Sequence, residues 1–185
     1  MRYLALLWLL AASAWAQEYF PQRAGMSWTY DNGQTQTLSG PRELRGQQVM
    51  ALTHFFQGQP VSEDYLRYTA EGVFLVGRAT GGQLYWYDPP LIIYLIYPGE
   101  RLQVGQSWQS TTQVDGLEIT LRADVLGIRG VQTPAGRFNA LQIRQQTLTS
   151  AGAETVLELF FVPTVGVVRW ITEDGTQFDL IEKNF

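Results

Sequence analysis

Cysteine is absent from the 185 residues, histidine occurs once, and charged side chains make up only 16% of the chain. Without cysteine there are no disulfides, thiol nucleophiles or Cys-rich zinc sites, and a single imidazole removes paired-histidine metal sites as well. Stability must therefore come from a packed core, even in an oxidising compartment. A serine triad would have to recruit His54, and no Gly-x-Ser-x-Gly elbow exists to present a nucleophile. Walker, Rossmann and calcium-loop patterns are missing, so neither a cofactor nor a metal is expected. Clusters of Lys or Arg are missing too. The net charge is −4, falling to −5 once Arg2 leaves with the leader, which excludes nucleic acid as a partner.

The leader is the first feature present. Arg2 gives a positive start, Tyr3 to Ala12 form an apolar run, and Ala14-Trp15-Ala16 puts small residues at both positions a signal peptidase reads. The run is too short to span a bilayer. Residues 1–16 read as a cleaved signal peptide and 17–185 as one exported domain. That domain would be periplasmic or extracellular, with no transmembrane segment after cleavage and no cysteine to take a lipid.

Within 17–185 the apolar period is two. In "LEITLRADVL", Leu117, Ile119, Leu121, Ala123 and Val125 alternate with polar or charged residues, as in a half-buried antiparallel strand. The stretches "QVMALTHFF", "DYLRYT", "GVFLVG", "QLYWY", "FNALQIRQQTL", "TVLELFFV", "GVVRWIT" and "TQFDLIE" read likewise. Turn residues separate them, and "TPAG" reads as a hairpin turn carrying a bulge at Gly136. The expected fold is all-β, a single curved antiparallel sheet of half-barrel or sandwich form.

Gly25-Met26-Ser27-Trp28 has a counterpart in Gly105-Gln106-Ser107-Trp108, and Gly72-Val73 has one in Gly166-Val167. These echoes suggest two degenerate β-meander halves, 17–88 and 96–185, each opened by a strand whose Trp plugs one end of the core. Between them runs "LYWYDPPLIIYLIYPG". Asp88-Pro89-Pro90 is expected to break any strand, and Leu91 to Tyr97 is continuously apolar or aromatic. This segment reads first as a buried crossover strand. Its alternative role is an aromatic lip over a cavity, with Tyr85, Trp86, Tyr87, Tyr94 and Tyr97 contacting a lipid, a glycan or an envelope protein.

Paired acidic residues could serve glycosidase-like chemistry. Glu63-Asp64 and Glu173-Asp174 lie beside turns and read as solvated surface, as adjacent acids on a strand point to opposite faces. Asp88 is a further candidate, and Glu158, flanked by apolar residues, would need a partner such as Arg144. His54 shares a face with Met50, Leu52 and Phe56 and reads as a packed or rim histidine. No catalytic constellation emerges, and the expectation is a non-catalytic envelope protein that binds an apolar ligand or a partner. A purely structural or assembly role is the alternative, with a carboxylate hydrolase behind it.

Three stretches, "YFPQRAGMSW", "VQTPAGRFNALQIR" and "FFVPTVGVVRW", resemble the bacterial exported proteins labelled TapB-like. The matching positions are Phe20, Pro21, Gly25 and Trp28, then Pro134, Ala135, Gly136 and Phe138, then Phe161, Pro163, Gly166 and Val167. The resemblance implies an exported antiparallel β domain and transfers no site. Many such relatives are lipoproteins, whereas this chain lacks the acceptor cysteine. A remoter similarity, by architecture alone, is to half-barrel periplasmic lipoprotein carriers whose curved sheet cradles acyl chains.

Overall fold

The computed structural model describes residues 19–96 and 101–185; the leader, its cleavage point and Tyr97 lie outside them. Twelve strands follow one another: β1 (Ser27–Tyr30), β2 (Gln34–Leu44), β3 (Gln47–Phe56), β4 (Gln59–Thr69), β5 (Gly72–Thr80), β6 (Gln83–Leu95), β7 (Ser107–Val114), β8 (Leu117–Thr133), β9 (Gly136–Thr149), β10 (Glu154–Val162), β11 (Gly166–Thr172) and β12 (Gln177–Lys183). Each is antiparallel to its sequence neighbour, and β12 returns to pair with β1 through Trp28↔Lys183 and Thr29↔Glu182.

The sheet is thus a closed barrel, which corrects the expectation of an open half-barrel or a sandwich. Closure gives every described strand a neighbour on both sides, with the β6–β7 seam the most thinly paired. A round barrel of twelve strands would be too wide for side chains to fill. Here the opposite walls meet instead: Leu66, Val73 and Leu75 of β4 and β5 share one buried cluster with Leu121, Ile143 and Phe161 of β8, β9 and β10. The alternation expected for β8 holds, with Leu121, Ala123 and Val125 buried between exposed Arg122 and Asp124.

Asp88-Pro89-Pro90 does not break the chain into two strands; β6 runs straight through it. Prolines remove ladder donors, and this strand loses them where its ladders are already interrupted. Its pairing with β5 skips from Leu75↔Leu91 to Gly77↔Trp86, and its pairing with β7 rests on Asp88↔Gln113. Side chains supply the missing seam. The Trp108 indole donates to the Ile92 carbonyl (3.0 Å), the Ile92 amide donates to Ser110 Oγ (2.8 Å), and Gln106 donates to the Leu95 carbonyl (2.7 Å).

Two long hairpins bend over the outside of the barrel. The tip of β2–β3 places Arg42 over the Tyr65 ring and Arg45 over the Trp86 ring, covering Val49, Ala51 and Val76. The tip of β8–β9 buries Val131 and Ala140 against Phe160, Val168 and Leu180, and is fastened by hydrogen bonds from Ala135 to the Leu180 carbonyl and from Arg169 to the Gln132 carbonyl. The "TPAG" turn closes at Thr133↔Gly136 as a two-residue loop, and the bulge lies farther back, between Val125 and Gly127.

Trp28 and Trp108 hold the same place in the first and seventh strands. They are 4% and 6% exposed, and each indole donates to a backbone carbonyl, of Val165 and Ile92 respectively. Ahead of them, the Gly25 amide bonds the Leu38 carbonyl and the Gly105 amide bonds the Val125 carbonyl, both at 2.8 Å. The sixth strand continues to Leu95, past residue 88.

Candidate functional site

Inward-facing residues of the first six strands change character along the barrel. On the fourth and fifth strands they run from Leu66, Tyr68 and Val73 at one end to Asp64 and Arg78 at the other, while Trp28 stands directly across from Gln36 and Leu38 lies in the ladder row that leads to Asp64. Between them lies a cavity of about 180 Å³, closed on the far side by Phe161, Gly166 and Val167 and at its apolar end by Phe20 and Pro21.

The aromatic end is tightly assembled. Tyr94 stacks on Phe20 at 5.3 Å between ring centroids and leans on Phe161 at 4.8 Å. The Tyr30 hydroxyl donates to the Val167 carbonyl (2.9 Å) and the Tyr68 hydroxyl to the Pro21 carbonyl (3.1 Å). Burial raises the pKa of all three phenols, and the proximity of Tyr94 adds to the effect on Tyr30 and Tyr68. They stay protonated throughout the neutral range.

Asp64 centres the polar end and is only 7% exposed, which corrects its reading as solvated surface. Its neighbour Glu63 faces outward to Arg42 (2.7 Å) and Thr53 (2.9 Å), so the two adjacent acids do divide between the faces. Arg78 grips Asp64 with two parallel bonds, Nε to Oδ1 at 2.5 Å and Nη2 to Oδ2 at 2.9 Å. His54 Nε2 lies 3.0 Å from Oδ2, and Gln34 Nε2 lies 3.2 Å from His54 Nδ1. Both ring nitrogens of His54 thus have polar partners, Asp64 on one side and Gln34 on the other. Burial alone would raise the Asp64 carboxyl, but the bonds from His54 and Arg78 outweigh it and hold the group below the ordinary carboxylate range. Arg78 is raised further above its usual value, chiefly by its bond to Asp64.

Arg78 faces inward because of a bulge. Leu75 lines the cavity and Val76 packs outside, so strict alternation would send residue 78 outward. Val76 is an extra residue between Leu66↔Leu75 and Tyr65↔Gly77, and that shift of one position turns Arg78 into the lumen. Gly77 permits the approach, since a Cβ there would sit 2.8 Å from the Tyr85 carbonyl oxygen.

The aromatic residues singled out in sequence are dispersed. Tyr94 lines the cavity, Tyr85 and Tyr87 belong to the inner cluster, and Trp86 lies outside beneath Arg45. Glu158 accepts from Gln142 (2.8 Å) rather than from its cross-strand neighbour Arg144. The sequence offers His54 and Asp64 as separate candidates, and the structure joins them through Arg78, a residue not among the sequence candidates. The signal available was for Asp64, a charge in phase with Leu66 and Tyr68, whereas the period of two carried none for Arg78.

No helix among the described residues is long and apolar enough to cross a membrane. No protein-family model matches the chain, and no curated protein matches its sequence. Two solved structures resemble it in fold. One is a "putative lipoprotein" from Parabacteroides distasonis ATCC 8503, with 13% identity over 90% of this chain and 98% of that one, at a TM-score of 0.50. The other is a "putative exported protein with YmcC-like fold" from Bacteroides fragilis NCTC 9343, with 12% identity over 90% of this chain and 99% of that one, at a TM-score of 0.51. At such identities the likeness is one of architecture, and the chain has the fold that the second of these proteins is named for.

Proposed function

We propose that this chain is an exported, non-catalytic barrel that binds a small, largely apolar ligand in its lumen. The observation that carries this reading is the cavity of about 180 Å³, walled by Trp28, Leu66, Val73, Tyr94 and Phe161. An apolar cavity of about 150 Å³ in another protein stays dry and takes up benzene, so this one suits a single ring or a short alkyl chain. A whole lipid would leave most of its length outside. The hydrogen-bonding of His54 supports a non-catalytic role: one nitrogen serves Asp64, and the other is capped by Gln34 rather than by a hydroxyl nucleophile. Export is supported by the leader and by the TapB-like stretches, and the missing cysteine favours a soluble form.

Toluene titrated into labelled protein should shift the amide resonances of Leu66, Val73 and Tyr94, and solvent extraction of freshly purified protein should release a small apolar compound detectable by mass spectrometry. Failure of toluene to enter would remove the ligand reading. It would favour the structural alternative, which rests on the inward packing of Leu121, Ile143 and Leu159 that fills the rest of the lumen. The secreted protein should begin at Gln17; an intact Met1 terminus on membrane-bound protein would refute the soluble, exported assignment.

A further inference from the structure

The register of the ladders pairs positions between strands 1–6 and strands 7–12. Leu38 accepts from the Gly25 amide and faces Leu52, which faces Asp64, which faces Arg78. Val125 accepts from the Gly105 amide and faces Ile143, which faces Leu159, which faces Trp170. His54 and Gln145 each lie two residues beyond the facing Leu52 and Ile143. The second run therefore places Gln145, Leu159 and Trp170 where the first places His54, Asp64 and Arg78. The same ladder closes around an uncharged set, so this architecture does not need an ion pair here. Buried ion pairs are in general no more stabilising than apolar residues of similar size.

We propose that Arg78, fixed by Asp64 and His54, is the head-group site of the lumen, and that it takes an uncharged hydrogen-bond-accepting group, such as an amide or ester carbonyl or a hydroxyl, on a ligand whose apolar part fills the cavity. This rests on the lumen reading above and specifies its ligand. Arg78 spends two of its five N–H groups on Asp64, lines the cavity, and keeps 44% of its side chain accessible. Gln36 lines the same cavity with its side-chain amide. Among the described residues lining the cavity, Asp64 and Arg78 carry the charges, and these cancel. An anionic head would sit beside the Asp64 carboxylate with no net positive charge in the lining to balance it, which is unfavourable, whereas a neutral acceptor only fills the free N–H groups.

Hexanamide and hexanoate are nearly isosteric and differ in this one property. Followed by amide chemical shifts at pH 7.4, hexanamide should bind at least tenfold more tightly than hexanoate. In the charge-neutral double variant Asp64→Asn/Arg78→Gln, hexanamide should weaken at least tenfold while toluene changes less than twofold. Hexanoate binding as tightly as hexanamide to the wild-type protein would overturn the neutral head group, and that comparison needs no variant. Unchanged hexanamide affinity in the folded double variant would overturn the role of Arg78. If toluene enters the lumen but the head group makes no difference, this inference fails alone; if toluene does not enter, the lumen reading falls with it.

Discussion

Replacing Trp28 or Trp108 by alanine tests whether the two indoles hold the barrel ends together. Each is almost fully enclosed, Trp28 against Pro21, Gly166 and Phe185, and Trp108 within the large inner cluster. Loss of a buried Trp side chain costs about 3–5 kcal/mol. The hydrogen bond adds to this, because Val165 and Ile92 would lose the indole donors to their carbonyls, and an unmet buried acceptor costs about 1–3 kcal/mol. Both alanine variants should therefore lie at the upper end of that range, a large part of the roughly 5–15 kcal/mol of a typical domain. Phenylalanine at either position keeps most of the apolar area and should isolate the hydrogen bond, at about 1–2 kcal/mol. Urea denaturation followed by circular dichroism should show one transition shifted to lower urea with its slope unchanged, since closure ties both runs of strands into one unit. Alanine variants within about 0.5 kcal/mol of the parent would refute the reasoning, because that is the behaviour of a surface site. Two resolved transitions would refute the single-unit part.

Asp64→Ala should cost about 2–4 kcal/mol by stranding Arg78 and His54, the half-exposed guanidinium keeping it below the largest buried-pair losses, while Glu63→Gln, one residue away on the outer face, should stay within about 1 kcal/mol; equal losses in chemical denaturation would contradict the assignment of faces. The depressed folded pKa of Asp64 contributes stability that is present above the unfolded value near 3.9 and lost as pH falls through the folded value, so acid denaturation should set in below about pH 4 and be less steep in Asp64→Asn. The raised phenols of Tyr30, Tyr68 and Tyr94 work in the other direction: their contribution is full below the unfolded value near 10 and declines as pH rises through the folded values. Ultraviolet titration should therefore show these tyrosines ionising together with alkaline unfolding, and their free ionisation in folded protein would sink the enclosed-cavity geometry. Gly72→Ala should cost about 2–6 kcal/mol by thermal or chemical melts, because φ is +138° and a Cβ would lie 1.9 Å from the Tyr94 carbonyl oxygen; a neutral effect would mean that β5 and β6 are spaced differently.

Local features were legible and long-range ones were not. The alternation of Leu117 to Val125 and the "TPAG" hairpin depend on neighbours in sequence, and both appear where the residue pattern puts them. Closure depends on Trp28 meeting Lys183, a pairing no local period encodes, so a curved sheet could be read and a barrel could not. The proline pair misled for a related reason. It forbids ladder donors, which usually ends a strand, but the ladders of β6 were already interrupted by the Val76 bulge and the β7 seam. That same bulge hid Arg78 from a period-two reading. For Asp64 two local cues conflict, proximity to a turn pointing to the surface and phase with Leu66 and Tyr68 pointing inward, and the fold follows the phase.

The short first strand sets a condition on the timing of folding. β1 has four residues, and they pair with β2 from the start of the chain and with β12 from its end, so the ring cannot close until the last strand has been delivered. Contacts of such sequence separation make for slow formation, since the loop entropy is lost before the contact repays it. Before that moment β1 and the most recently formed strand both present open edges, and the growing sheet is a template for its own aggregation. The β1–β12 pairing is thus the contact on which the whole ring depends, and deleting either strand would leave two open edges in a sheet that otherwise has both of its sides paired.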